Sequence, residues 1–244
     1  DTADELGHGT FVTGIIAAAR NNRIGIAGIA DQVSILPIKC FSDKDEASIL
    51  DICRGIYAAV DDYDCDVICL SLGTDYNSFN LEDAVNYAAE NDVIVVAAVG
   101  NEGSDKLYYP AAYDSVIGTG AYDSTGLYSS FTQFNESVFV SAPGSKIYST
   151  YSGSPSAYAE ADGTSFSAPQ VAALAAVALS YDPGLTVDEF KSLLMNTSRD
   201  AGDEGYDMEY GWGKIDFGTF TAALMENGLG DGEGDAAAFE DVSG

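Results

Sequence analysis

Basic residues are scarce in this sequence. Ten lysines and arginines stand against 39 aspartates and glutamates over 244 residues, which gives a formal net charge of −29. Nucleic acids and anionic membrane surfaces are bound through basic patches, so the composition argues against both as partners. It suits a soluble exported protein, a cationic ligand or bound calcium, although an acidic surface that only contacts water is the simplest cause.

Long apolar runs and paired metal-binding cysteines are also absent. No stretch approaches the length of a membrane span. The single histidine, His8, and the lack of Cys-x-x-Cys spacing exclude the usual zinc sites. The four cysteines are Cys40, Cys53, Cys65 and Cys69. Cys40 and Cys69 lie in apolar runs, which favours small buried hydrophobes, and a disulfide stays open as the alternative.

Apolar runs typical of parallel strands alternate with helical stretches along the chain. The strand candidates are residues 34–40, 66–71, 93–99 and 115–120, and the helical candidates are 10–19, 48–63, 80–91, 165–180 and 186–197. Continuous apolar strands between amphipathic helices predict an α/β fold with a mostly parallel twisted sheet and helices on both faces. We expect one domain over residues 1–227. The Gly-rich acidic residues 228–244 are typical of a tail or linker.

Three glycine-flanked turns carry residues that could take part in catalysis. They are Gly7-His8-Gly9-Thr10, Val99-Gly100-Asn101-Glu102-Gly103 and Gly163-Thr164-Ser165-Phe166-Ser167-Ala168-Pro169. A serine hydroxyl becomes a good nucleophile when a neighbouring imidazole takes its proton, and the start of a helix helps to hold a developing oxyanion. Without further context, the histidine could be structural, the serine a helix cap and the asparagine a turn residue.

Together these motifs resemble the subtilisin-like serine peptidases, the subtilase family, and the resemblance covers nearly the whole chain. It includes Phe11-Val12-Thr13-Gly14 after the histidine and Tyr210-Gly211-Trp212-Gly213 near the C-terminus. The resemblance implies a subtilisin-like fold and a serine endopeptidase. In it His8 is the general base, Ser165 the nucleophile and Asn101 the oxyanion donor. This sequence departs from the family pattern with Phe11 in place of a second histidine, and with Phe166 and Ser167 in place of methionine and alanine.

The family also has an aspartate that orients the histidine, roughly thirty residues before it. Asp1 and Asp4 are too close to His8 for that place and are similar to the acidic residues that lead into the histidine motif. We therefore expect an N-terminally truncated chain that is nearly inactive alone, with the aspartate encoded upstream. The alternative is a non-catalytic peptide-binding pseudopeptidase without the acid.

The resemblance also implies the walls of a substrate cleft. One wall is Ser71, Leu72 and Gly73, and the other is Ala98, Val99 and Gly100. Extended substrate would pair with the edge near Lys44-Asp45-Glu46-Ala47. The carboxylates of Asp45 and Glu46, with Glu102 near the primary pocket, suggest a tolerance for basic substrate residues. A solvated acidic loop is the alternative.

A loop at residues 20–26 resembles the family's calcium site. The ligands would be the Asn22 side chain and the carbonyls of Arg20, Ile24 and Ile26, because calcium prefers hard oxygen donors. We expect this site to be incomplete, since its other ligands come from upstream segments of the family. Tyr109-Pro110-Ala111-Ala112-Tyr113 with Asp123 resembles a second, weaker cation site, or an ordinary turn. The resemblance further implies a secreted or cell-surface monomer that acts on protein or peptide substrates without a catalytic cofactor.

Overall fold

The computed structural model describes residues 3–42, 44 and 46–227. The elements in chain order are α1 His8–Ala17, α2 Ile49–Asp61, β1 Val67–Leu70, α3 Phe79–Glu90, β2 Ile94–Ala98, β3 Ile117–Tyr122, β4 Val140–Pro143, β5 Ile147–Thr150, β6 Tyr158–Ala161, α4 Ala168–Tyr181, α5 Val187–Thr197 and α6 Phe217–Asn227. Strands β1 to β4 form a parallel sheet in that order, and β5 pairs antiparallel with β6. The predicted α/β fold is confirmed. The predicted tail, residues 228–244, lies outside the described residues.

The central strand β2 shows why its sequence is continuously apolar. All five of its residues are buried, and they alternate between two core clusters. Val95 and Ala97 pack with α2 and α3, whereas Ile94, Val96 and Ala98 pack with α4, α5 and α6. A strand covered on both faces has no polar side, so alternation is absent and the whole run is apolar.

The predicted strand at residues 34–40 is not a strand in the structure. This segment forms no ladder with β1, and Ile35, Leu36 and Ile38 are 38%, 37% and 40% exposed. Backbone pairing makes an extended run into a strand. The apolar pattern predicts burial in a sheet, but no partner for this segment exists among the described residues.

The predicted helix at 165–180 begins differently from the expectation. A 3₁₀ turn, Thr164–Phe166, precedes α4, and Ser165 lies in this turn. Pro169 has no N–H, so it cannot donate the i→i−4 bond to the carbonyl of Ser165. The turn is closed instead by i→i+3 bonds from Phe166 to Gly163 and from Ser167 to Thr164.

Helix α6 was not predicted from the sequence. It packs against α5, where Phe190 meets Phe220 edge-on. All four cysteines are free thiols, and burial raises the pKa of the Cys69 thiol to about 12, despite a hydrogen bond with Ser71 that lowers it. No helix of the described residues is long and apolar enough to cross a bilayer.

Candidate active site

The predicted nucleophile is held against one predicted wall of the cleft. The Ser165 carbonyl, which Pro169 leaves without a helical donor, accepts a hydrogen bond of 2.8 Å from the Ser71 hydroxyl. The Ser165 hydroxyl lies 3.4 Å from the Ser71 carbonyl, a long hydrogen bond that a stronger acceptor would replace. The serine is therefore fixed through its backbone while its Oγ stays available.

The amide of Asn101 is oriented by the turn that carries the serine. Its Oδ1 accepts from the Thr164 N–H at 2.8 Å and from the Thr164 hydroxyl at 2.9 Å. Thr164 is fully buried and its hydroxyl also accepts from Gly100 N–H at 3.3 Å. Because both bonds reach the oxygen, the NH₂ group is directed to the other side of the amide. Asn101 is exposed and lines the cleft described below.

The backbone around His8 is shaped by Gly7 and Asp4. Gly7 has φ 78°, and a methyl group on it would lie 2.5 Å from ring atoms of Tyr151. Helix α1 begins at His8, and Gly7 has no side chain with which to cap it. The carboxylate of Asp4 supplies the cap, accepting from Gly7 N–H at 2.9 Å and from Thr10 N–H at 2.6 Å.

These contacts also set the charge of Asp4. Burial by itself would raise the pKa of the Asp4 carboxyl, but hydrogen bonds from Thr10 and Gly7, together with the nearby His8, outweigh it. The pKa of Asp4 therefore lies below its ordinary value of 3.8, and the carboxylate remains ionised at neutral pH.

Two aromatic residues that depart from the family pattern link the histidine to the serine. The ring of Phe166 lies 4.2 Å from that of Phe11 and 5.8 Å from the imidazole of His8, measured between centroids. Phe11 and Phe166 form a small core with Ile15. The turn Thr164–Phe166 thus contacts Asn101 through its first residue and His8 through its last, with Ser165 between them.

A cleft of about 210 Å³ opens beside Ser165 and Asn101 at the carboxyl ends of β1 and β2. Four predicted wall residues line it, namely Leu72, Gly73, Ala98 and Gly100, and so does Glu102. The side chain of Val99 packs instead in the α2/α3 core, because successive side chains of an extended segment point to opposite sides. Ser71, the sixth predicted wall residue, forms hydrogen bonds with Ser165 and does not line the cleft.

Sequence reasoning missed two residues of this cleft, Thr164 as the partner of Asn101 and Tyr108. The Tyr108 hydroxyl donates to Glu102 Oε1 at 2.7 Å, and Lys106 Nζ lies 3.8 Å from Glu102 Oε2. Glu102, predicted to favour basic substrates, is thus already paired. Of the other acidic candidates, Glu46 is exposed, and Asp45 lies outside the described residues.

A larger concavity of about 530 Å³ lies at the opposite edge of the sheet. Asp61, Asp64, Asp66 and Asp92 line it, where β1 and β2 begin. Ligands of parallel α/β sheets bind at the carboxyl ends of the strands. The smaller cleft beside Ser165 is therefore the candidate active site.

The predicted calcium loop is an exposed turn. Asn22 Oδ1 accepts the Ile24 N–H at 2.9 Å, and Arg20 pairs with Asp31 at 3.1 Å. The predicted donors are one amide oxygen and the carbonyls of Arg20, Ile24 and Ile26, whereas calcium takes roughly six to eight oxygens. No cluster of three acidic, histidine or cysteine side chains suited to a metal occurs in the described part of the chain. These residues alone do not complete a calcium site.

In the second predicted cation loop, oxygens of the proposed ligand residues also accept hydrogen bonds from within the protein. Asp123 Oδ1 accepts hydrogen bonds from Thr125 N–H at 2.8 Å and from Thr125 Oγ1 at 2.6 Å. The Tyr109 carbonyl accepts from Thr74 N–H at 2.9 Å. These oxygens stabilise turns, and the cation site stays a prediction.

The fold and the site together define a class of protein. It is a parallel α/β protein in which the 3₁₀ turn that carries the Ser165 hydroxyl contacts both Asn101 and His8, the first residue of α1. Residues 1–213 match the subtilase family, and the chain belongs to that family.

Similar proteins agree with this assignment. A thermophilic serine proteinase from Bacillus sp. strain AK1 is 39% identical over 211 residues, which cover 86% of this chain and 51% of that protein. Subtilisin DY from Bacillus licheniformis is 39% identical over 216 residues, with 87% and 76% covered. The crystal structure of a lanthipeptide protease has a TM-score of 0.79 at 24% identity, covering 92% of this chain and 77% of that one, which is a likeness of fold. The chain thus spans about half of the first relative's length.

Proposed function

We propose that this chain carries the nucleophile, general base and oxyanion donor of a serine endopeptidase. His8 accepts the proton of Ser165 Oγ as that oxygen attacks a peptide carbonyl. The oxyanion that forms accepts a hydrogen bond from Asn101 Nδ2. His8 then returns the proton to the leaving amine, the C–N bond breaks, and water hydrolyses the acyl-enzyme by the same route.

The observation that carries this proposal is the turn Thr164–Phe166. Two hydrogen bonds of Thr164 orient the Asn101 amide, and the ring of Phe166 contacts the His8 ring. One short segment therefore fixes the nucleophile and touches both of its partners. Catalytic groups held by one rigid element keep their mutual geometry, which acyl transfer requires.

The carboxylate that orients His8 is a separate part of the proposal. Asp4 Oδ1 and Oδ2 each accept a backbone N–H at the start of α1, so Asp4 serves the helix. The family resemblance implies a further aspartate for the orienting role, a role that Asp4 does not fill here. Loss of that group costs roughly 10⁴-fold in turnover, so the chain alone should be nearly inactive.

Labelling with a fluorophosphonate tests the proposal. A chain extended upstream should be labelled at Ser165, and Ser165→Ala should abolish labelling, whereas Ser167→Ala should keep it. The 244-residue chain should be labelled far more slowly than the extended one. Labelling that persists in Ser165→Ala refutes the role of this serine. Peptide binding without any labelling of the extended chain would favour the peptide-binding alternative.

The remaining expectations stay part of the proposal. A net charge of −29 and the family resemblance support a secreted or cell-surface monomer that acts on proteins or peptides. Analytical ultracentrifugation of the extended chain tests the monomer, and a dimer in the micromolar range would contradict it.

A further inference from the structure

The ring of Tyr108 lies between the two walls of the cleft. A methyl group placed on Gly73 would be 3.2 Å from Tyr108 Cδ1, and one placed on Gly100 would be 3.1 Å from Tyr108 Cγ. Gly100 has φ 111°, a conformation that L-residues rarely adopt. The ring therefore packs against a glycine of each wall and takes up part of the space between them.

The backbone holds Tyr108 in this position. Thr74 and Tyr109 exchange two hydrogen bonds of 2.9 and 2.8 Å, which tie the neighbouring residue to the Ser71–Thr74 wall. On the other side, the Lys106 carbonyl accepts from Gln133 Nε2 at 3.2 Å and from Asn135 Nδ2 at 2.8 Å. Gln133 and Asn135 are buried, so the loop that presents Tyr108 is anchored at both ends.

The hydroxyl end of Tyr108 is fixed as well. It donates to Glu102 Oε1 at 2.7 Å, and this hydrogen bond, burial and the charges of Glu102 and Asp75 raise the pKa of Tyr108 to about 12. The phenol therefore stays a neutral donor up to strongly alkaline pH, and its hydrogen bond to Glu102 is kept over that range. Lys106 Nζ lies 3.8 Å from the second oxygen of Glu102, so a basic substrate side chain would compete with two existing partners for this carboxylate.

We propose that Tyr108 shortens the primary specificity pocket, so that the cleft selects peptides with a small uncharged side chain next to the scissile bond. This inference rests on the proposed function and narrows its substrate class. A cleft of about 210 Å³ remains beside the ring, and Tyr108 is part of its lining. The anchored loop leaves no simple way for the ring to withdraw, so an aromatic side chain meets it directly.

An NMR titration of the whole chain with three peptides tests the inference without requiring catalysis. The probes are acetyl-Ala-Ala-Ala, acetyl-Ala-Ala-Phe and acetyl-Ala-Ala-Lys, followed through the amides of Gly73 and Gly100. The alanine peptide should bind at least about tenfold more tightly than the phenylalanine peptide, the lower end of hydrophobic-pocket discrimination. In Tyr108→Ala this order should reverse, while the control Tyr63→Ala, an exposed tyrosine after α2, should keep it.

A second variant separates the effect of the Tyr108 ring from that of its hydrogen bond to Glu102. Tyr108→Phe keeps the ring and releases Glu102, so it should still reject the phenylalanine peptide but bind the lysine peptide more tightly than the wild type does. The proposal is overturned if the wild type prefers the phenylalanine peptide, if Tyr108→Ala leaves the order unchanged, or if no peptide binds at millimolar concentration. Fluorophosphonate labelling, which involves no such side chain, reports the proposed function separately when it is done on the extended forms of the same variants.

Discussion

The carboxylate of Asp4 should determine both the stability of helix α1 and the environment of His8. Replacing it with alanine removes the acceptor that binds the N–H groups of Gly7 and Thr10 at the start of α1. Loss of such a cap costs about 0.5–2 kcal/mol. Part of this cost comes from loss of the negative charge, since an anion at a helix N-terminus stabilises the helix by roughly 0.3–1 kcal/mol.

Asparagine separates these two contributions. Asp4→Asn keeps one oxygen acceptor but loses the charge and the second acceptor, so its free energy of unfolding should lie between those of the wild type and Asp4→Ala. The matched control is Glu5→Gln, which removes the same charge one residue away, where the carboxylate pairs with Lys39 and not with α1. Equilibrium unfolding in urea at pH 7 measures all four proteins.

The pH dependence has a defined sign. The folded pKa of Asp4 is depressed below 3.8, so its contribution is present above that pH and is lost as pH falls through the folded pKa. The wild type should therefore lose more stability than Asp4→Asn in this acidic range. Near neutral pH, the difference between the two should be constant.

The single imidazole provides a second measurement. His8 is the only histidine, so its NMR titration is free of overlap. Removing the nearby anion should move the midpoint of that titration to lower pH in Asp4→Asn, more than in Glu5→Gln. If Asp4→Ala unfolds at the same urea concentration as Glu5→Gln, and the His8 midpoint is unchanged, the capping role assigned to Asp4 is wrong.

Other changes test the remaining contacts in the same protein. Asn101→Ala should slow fluorophosphonate labelling of the extended chain by roughly 10²–10³-fold through loss of the oxyanion donor, with an unchanged circular dichroism spectrum. Thr164→Val keeps the shape but removes the hydroxyl that orients Asn101, so labelling should slow by a smaller factor; an unchanged rate would show that the Thr164 N–H suffices. Gly14→Ala places a methyl group 2.1 Å from Thr150 Oγ1, and the overpacking should cost about 1–3 kcal/mol in urea unfolding, with a neutral result contradicting the packing.

The sequence predicted those parts of the molecule that depend on local pattern. The apolar run of β2 and the amphipathic pattern of α2 are local properties, and both elements lie within two residues of their predicted bounds. The motifs around His8, Asn101 and Ser165 are local too, and in the structure the turn that carries Ser165 contacts the other two residues. Their catalytic roles stay predictions that labelling will test.

What sequence reasoning missed depends on contacts between distant residues. Residues 34–40 have the composition of a strand, but a strand also requires a partner, and composition carries no information about pairing. Tyr108 is one of 15 tyrosines, and its place in the cleft follows from the Thr74–Tyr109 hydrogen bonds and from packing against Gly73 and Gly100. The partnership of Thr164 with Asn101 spans 63 positions and is equally invisible locally.

The missing N–H of Pro169 has a consequence for how the cleft can respond to a substrate. Because that proline leaves the Ser165 carbonyl to Ser71, a hydrogen bond joins the predicted nucleophile to the residue before the cleft wall Leu72–Gly73. A bulky peptide that pushes this wall outward therefore also displaces the attacking oxygen. Poorly fitting substrates would be penalised twice, in affinity and in the rate of attack, and a variant with a wider cleft would need a new support for Ser165.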